Sequence, residues 1–366
     1  MKKNKIITIV LVWLAAINLS AQQVEVPFTN EFWDFSNAQY DLQDYEGKPS
    51  LLLQSGFVFI KDLALLNGTI EVDINFSGLR NFPGLGFRMV DPNNFENFYV
   101  RPHQSGNSDA NQYTPVFNGL SGWQLYHGSK YATAINYEFN QWHHLKIEVA
   151  GTEAKIYFDD MDKPLLVIDE LLRTPEAGSV ILSTRTNVHF ANLKYQKSSN
   201  TTSGKSYQVA DIKGLIKSWE LAEIQPKEYL HEVDQLTSSH LKGLTWSEQQ
   251  VESSGVLNIS RYLKINQDQN TAIVRLKVKS DRRQIKQLKL GYSDFVKVFV
   301  NGQATYAGTT QFRTRDYRYL GTIGFFDAVY LPLKKGQNEI ILVVSENFGG
   351  WGLQAAMEDQ TGVIFN

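Results

Sequence analysis

Residues 69–76, TIEVDINF, alternate Ile70, Val72, Ile74 and Phe76 with Glu71, Asp73 and Asn75. A period of two predicts a strand with one buried face and one acidic face. The same period runs through LKIEV (145–149) and AKIYF (154–158), which the turn between them makes a hairpin. It continues in GFRMV, NFYVRPH and SVILST to about Gln196. The stretch KSSNTTSGKS (197–206) has no hydrophobic period and reads as a linker. Beyond it TAIVRLKVKSD, IKQLKLG, FVKVFVNG and AVYLPLKKGQNEIILVVS return to period two. Asn301-Gly302 supplies a hairpin turn in which both positions need φ > 0. SWELAEI and KEYLHEVDQL are the segments with room for a short helical turn. The expected fold class is all-β: two antiparallel β-sandwich (jelly-roll) domains in series after a signal peptide. The expected bounds are 1–21 for the signal, 22–196 for the first sandwich, 197–208 for the linker and 209–366 for the second.

The start of the chain changes the picture from fold to location. Lys2, Lys3 and Lys5 precede an apolar run from Ile6 to Ile17, and NLSAQQ offers a cut after Ala21. This is the pattern of a cleaved secretory signal, too short for a comfortable membrane span. The expected location is secreted or periplasmic, without membrane insertion. The chain has no cysteine, which excludes disulfides, thiolate chemistry, cysteine zinc sites and a lipoprotein anchor. A formal charge of −2 and no basic stripe argue against nucleic acid as partner. The seven histidines show no H-x-H or HExxH spacing, so no zinc site is expected.

Three phrases, GTIEVDINFSG, GLGFRMVDPNNFENFYVRPH and QWHHLKIEVAGTEAKIYFDD, resemble the concanavalin A-like lectin/glucanase superfamily. Its laminin G-like and 3-keto-disaccharide-hydrolase-like branches are the nearest in pattern. The resemblance covers about residues 25–196 and implies a jelly roll that often carries carbohydrate. LKLGYSDFVKVFVNGQATYAG with LPLKKGQNEIILVVSENFGGWGL is similar to galactose-binding-like jelly rolls, accessory modules of glycan-degrading enzymes. That likeness implies a fold and no reaction.

Within this superfamily the family 16 glucanases use Glu, Asp two residues on, and a second Glu two or three residues later. Glu71 and Asp73 match the first two positions, but Asn75 or Phe76 stands where the acid/base belongs. Retaining hydrolysis needs two carboxyl groups ~5–5.5 Å apart. The acidic strand is therefore read as solvent-facing, with Glu71 and Asp73 kept as fallback acids should the chain be a hydrolase.

The segment from Asn97 to Trp123 offers more for a ligand. Alternation places Asn97, Tyr99, Arg101 and His103 on one face, and Arg88 of GFRMV is expected beside them. The loop that follows is expected to present Gln112, Tyr113 and Trp123. Guanidinium forks suit hydroxyl pairs or a sugar carboxylate, and aromatic rings stack on pyranose faces. The other reading is a polar sheet face with Arg101 tied to acids such as Glu71 or Asp73. FDDMDKP (158–164) is an oxygen-rich turn of a kind that can hold Ca²⁺, or a plain hairpin tip. Trp351 of FGGWG stands ready either to stack on a sugar or to close the end of a sandwich. QFRTRDYRY (311–319) reads as a basic-aromatic strand. The leading expectation is an exported, non-catalytic carbohydrate-binding protein with a glycan partner. A glycoside hydrolase and a surface adhesion module binding a protein partner are the alternatives. An open 97–103 face would favour the two sugar readings, and a face covered by the second domain would favour adhesion.

Overall fold

The computed structural model describes residues 22–199, 207–311, 318–319 and 322–365. The signal segment, most of the linker and most of QFRTRDYRY lie outside the described residues.

In the first lobe the alternating segments form one continuous antiparallel network that curls over a main core, with a smaller apolar cluster around Met89 and Phe95 beside it. Strand Gly68–Asn75 lies between Trp142–Ala150 and Val188–Lys197. Its pairs Ile70↔Ile147 and Val72↔Leu145 put four apolar side chains on the inner face. Glu71↔Lys146 and Asp73↔His144 face outward in the same register. Across the core lie Leu85 and Phe87, Phe98 and Val100, and Val180 and Leu182, from three neighbouring strands of the other half. The apolar positions of two sheet faces meeting in this way are what a period of two yields in a sandwich.

The second lobe is a sandwich of an eight-stranded and a four-stranded antiparallel sheet. Val274, Leu276, Val296, Val298, Leu342 and Val344 from the larger meet Leu288, Leu290, Val329, Leu331 and Leu353 from the smaller. Asn301 and Gly302 both have positive φ and join Phe295–Val300 to Gln303–Thr309, as a two-residue hairpin demands. The turn in LPLKKGQNEI instead carries the chain from one sheet to the other. No α-helix occurs among the described residues; the helical segments are one-turn 3₁₀ helices at Pro102–Gln104 and Ile259–Arg261. Ser218–Ala222 is a strand, held by Glu220 against Arg275, and 227–232 is a run of turns that leads to a bridge between Gln235 and Gln303. Tertiary pairing overrides local helical preference there. Among the described residues no helix is long and apolar enough to cross a membrane.

Residues 117–127 and 170–172 of the first lobe meet 252–261, 293, 323 and 347–350 of the second. The Tyr126 hydroxyl donates to Glu252 at 2.9 Å and accepts from Asn258 Nδ2 at 2.7 Å. Asn118 Nδ2 donates to the Ser260 carbonyl, and the backbone of Gln124 bonds to both Gly349 and Ile323. Gly349, at φ 114°, lies so close to the first lobe that a Cβ there would stand 2.7 Å from the Trp123 ring.

Candidate functional site

A pocket of about 390 Å³ opens where the lobes meet. Its floor is the outer face of the strand pair Asn94–Val100 and Asn111–Phe117, opposite the core residues Phe98, Val100 and Tyr113. Tyr99 and Gln112 stand directly across from each other in this ladder. On the other side Gly84 is Tyr99's partner, and a Cβ there would crowd the Ser183 hydroxyl at 2.8 Å.

The floor is a closed polar network. The Tyr99 hydroxyl donates to Gln112 Oε1 at 2.8 Å and accepts from Arg101 Nη2 at 2.6 Å. Arg101 Nη1 donates to the Asp109 carbonyl, and the Asp109 carboxylate lies 3.9 Å away. Burial pushes the Asp109 carboxyl above its ordinary pKa, against the pull of Arg101. Gln112 Nε2 reaches the carbonyls of Trp123 and Tyr126, so the floor also holds the loop that forms one wall. Arg101 is thus tied to Asp109, Tyr99 and Gln112, and not to Glu71 or Asp73.

Above the floor three polar atoms stand unpaired. His103 Nδ1 and Asn97 Oδ1 are buried without a hydrogen-bond partner, as is the Thr322 hydroxyl on the second-lobe side. Burial, with Arg80 and Arg101 alongside, lowers the His103 pKa, so its ring is neutral at neutral pH. Phe82 packs edge-on to His103 at 5.2 Å, and the Trp123 ring meets Phe348 of the second lobe at 5.3 Å. The pocket therefore combines aromatic walls from both lobes with polar groups that have bonds to give. Orphaned buried polar atoms are costly unless a ligand or water satisfies them.

Of the residues expected from sequence, Tyr99, Arg101, His103, Gln112 and Trp123 line this pocket. Arg88 and Tyr113 do not. Arg88 sits at an irregularity in its strand, where the register with 94–100 shifts and its own φ is 51°. A bulge re-aims side chains, so Phe87 and Met89 enter different clusters and the alternation fails there. The Arg88 guanidinium instead donates to the carbonyls of Leu66 and Gly151 and to Asn67 Oδ1. Tyr113 shares the core face of Phe98 and donates to the buried Glu96 at 2.7 Å. Arg80, Phe82, Asp109, Arg185 and Phe348 line the pocket without having been expected. They come from loops and from the other lobe, where no periodicity signals them.

Glu71 and Asp73 lie away from the pocket in a charge cluster of their own. Asp73 accepts from His144 Nδ1 and Lys48 Nζ at 2.6 Å and from Asn192 Nδ2 at 2.7 Å; Glu71 pairs with His144 and Lys194. Burial pushes the Asp73 pKa up, but these bonds outweigh it and bring the value down to about 2. The stabilisation from Asp73 is therefore full above its ordinary pKa of 3.8 and lost as pH falls through about 2. At ~1.36 kcal/mol per pH unit this is about 2 kcal/mol. Asp73 raises the His144 pKa, and that contribution runs the other way, fading as pH rises through the elevated value. Asp73→Asn is expected to lower unfolding free energy by about 2 kcal/mol at pH 7 in urea titrations. The two proteins should converge near pH 2, and identical curves at pH 7 would remove the structural role.

In the FDDMDKP turn, Asp159 turns back to His143 and to the backbone N–H of His144, and Asp160 caps the turn at Asp162 and Lys163. Among the described residues no group of three or more His, Asp or Glu side chains is placed to hold a metal ion. Trp351 is fully buried in the second core, and it is Phe348, three residues earlier, that reaches the pocket.

No protein-family model matches the chain, and no curated protein does. Among solved structures it is similar to the carbohydrate-binding module CBM66 from Bacillus subtilis, at 19% identity and a TM-score of 0.34, covering 45% of this chain and 92% of the module. A Bacillus licheniformis β-glucanase is 9% identical with a TM-score of 0.35, covering 48% of this chain and 98% of that one. A pseudo β-1,3-glucanase of Mycobacterium tuberculosis is 12% identical with a TM-score of 0.32, covering 46% and 92%.

Proposed function

We propose that this chain is an exported carbohydrate-binding protein that holds a glycan in the pocket between its lobes without cleaving it. The observation that carries this reading is the pairing of aromatic walls with unsatisfied hydrogen-bonding atoms in one cavity. Trp123 and Phe348 offer aromatic surface to a sugar ring, while Asn97 Oδ1, His103 Nδ1 and the Thr322 hydroxyl await partners. A volume of about 390 Å³ suits a small ligand or the end of a longer chain. The second-lobe loop rims the 97–103 face without filling it. The galactose-binding-like character of that lobe and export by the basic-apolar leader belong to the same reading.

Non-catalytic binding is favoured because Asp109 is the only carboxylate among the described lining residues, and it lies beside Arg101. A retaining mechanism requires a second carboxyl ~5–5.5 Å away. An adhesion surface would call for a flat apolar patch instead of a polar pocket.

The test is a glycan array probed with the protein lacking residues 1–21, with reducing-sugar release assayed on every hit. Binding without product is the expected result. Released sugar would replace the binding reading with a hydrolase, and an array without hits would overturn it.

A further inference from the structure

One end of the pocket is built differently from the rest. Arg80 and Arg185 come from two separate loops, yet both guanidinium groups stand over the same ring, 5.5 and 5.4 Å from the centre of Phe82. Asn81 accounts for this. Its buried side chain accepts from the backbone N–H groups of Arg185 and Thr186 and from the Thr184 hydroxyl, and donates to the Thr186 carbonyl. One amide thus fixes the residue beside Arg80 to the loop that carries Arg185. Neither arginine has a carboxylate partner among the described residues. Solvated surface arginines need no such staple.

The charge balance points the same way. The described lining holds three arginines against the single Asp109, in a chain whose formal charge is −2. Arg101 is already committed to the floor, so the excess belongs to Arg80 and Arg185. Positive charge concentrated at a cleft in a net-negative protein attracts anions and disfavours cationic or purely apolar ligands.

We propose that the glycan held here is acidic, with a carboxylate or sulfate group paired to Arg80 and Arg185 at the Phe82 rim. This rests on the carbohydrate reading and narrows it to a ligand class. Guanidinium groups form charge-assisted, often bidentate bonds to either oxyanion. The sugar ring then lies along the aromatic wall, within reach of His103 and Trp123.

The test uses oligosaccharides in matched pairs: oligogalacturonides with their methyl esters, and sulfated oligosaccharides with their desulfated forms. Titration calorimetry is run on the wild type and on Arg80→Ala, Arg185→Ala and Trp123→Ala. Both arginines are exposed, so their variants keep the fold. The charged member of a pair is expected to bind at least tenfold more tightly, and each arginine variant to lose about tenfold of that affinity. Discrimination within the uronate pairs identifies a carboxylate, and within the sulfated pairs a sulfate. Neutral members that bind equally well, unaffected at Arg80 and Arg185 but lost in Trp123→Ala, would overturn the acidic ligand and leave the glycan reading standing. No binding by any member would overturn both.

Discussion

Glu252→Ala is expected to lower the free energy of unfolding by about 3 kcal/mol, measured by denaturant titration at pH 7. The carboxylate is a node between the lobes: it accepts from the Tyr126 hydroxyl through both oxygens and from Arg261 Nε, and its side chain is only 7% exposed. Arg261 in turn donates to the Leu172 carbonyl and lies over the Phe117 ring, both in the first lobe. Removing the acid leaves a largely buried guanidinium without its counter-charge. Breaking a buried pair from one side costs ~3–5 kcal/mol, and the 23% exposure of Arg261 sets the expectation at the low end. A loss below about 1 kcal/mol would mean that the node is not what couples the lobes.

Trp351→Ala should cost about 3–5 kcal/mol, the range for emptying a large aromatic site in a core. The ring is fully buried, and its indole N–H donates to the Val344 carbonyl at 3.1 Å. It also anchors the loop that delivers Phe348 and Gly349 to the pocket. Alanine at 351 should therefore weaken ligand affinity as well as stability. Phe348→Ala should do the reverse, sparing stability and reducing affinity, since Phe348 is half-buried at the rim. Equal stability losses in the two variants would place Phe348 in the core and contradict its role as a pocket wall.

The strands were legible because burial on one face writes a period of two into the sequence. TIEVDINF and LKIEV pair in the register their alternation implies, and Asn301-Gly302 turns where its backbone requirement says it must. Alternation also placed Asn97, Tyr99, Arg101 and His103 on one side; all four line the pocket, although the strand ends at Val100 and His103 reaches it from the 3₁₀ turn Pro102–Gln104. It failed at Arg88, where a bulge breaks the period, a backbone event with no residue type of its own. It was silent on which face Tyr113 takes, because strand Asn111–Phe117 is buried on both faces and carries no contrast to read. Asn81, Arg185 and Phe348 lay beyond reach for a third reason. Their roles depend on loops meeting across long sequence separation and on the docking of one sandwich against the other.

The central claim is that both lobes build one glycan site, and the most direct measurement is calorimetric titration of the best array ligand into three proteins. These are the wild type, Trp123→Ala from the first lobe and Phe348→Ala from the second. Stacking on either ring predicts an affinity loss of about tenfold or more in each variant, with the fold retained. Wild-type affinity in either variant would contradict a site shared between the lobes.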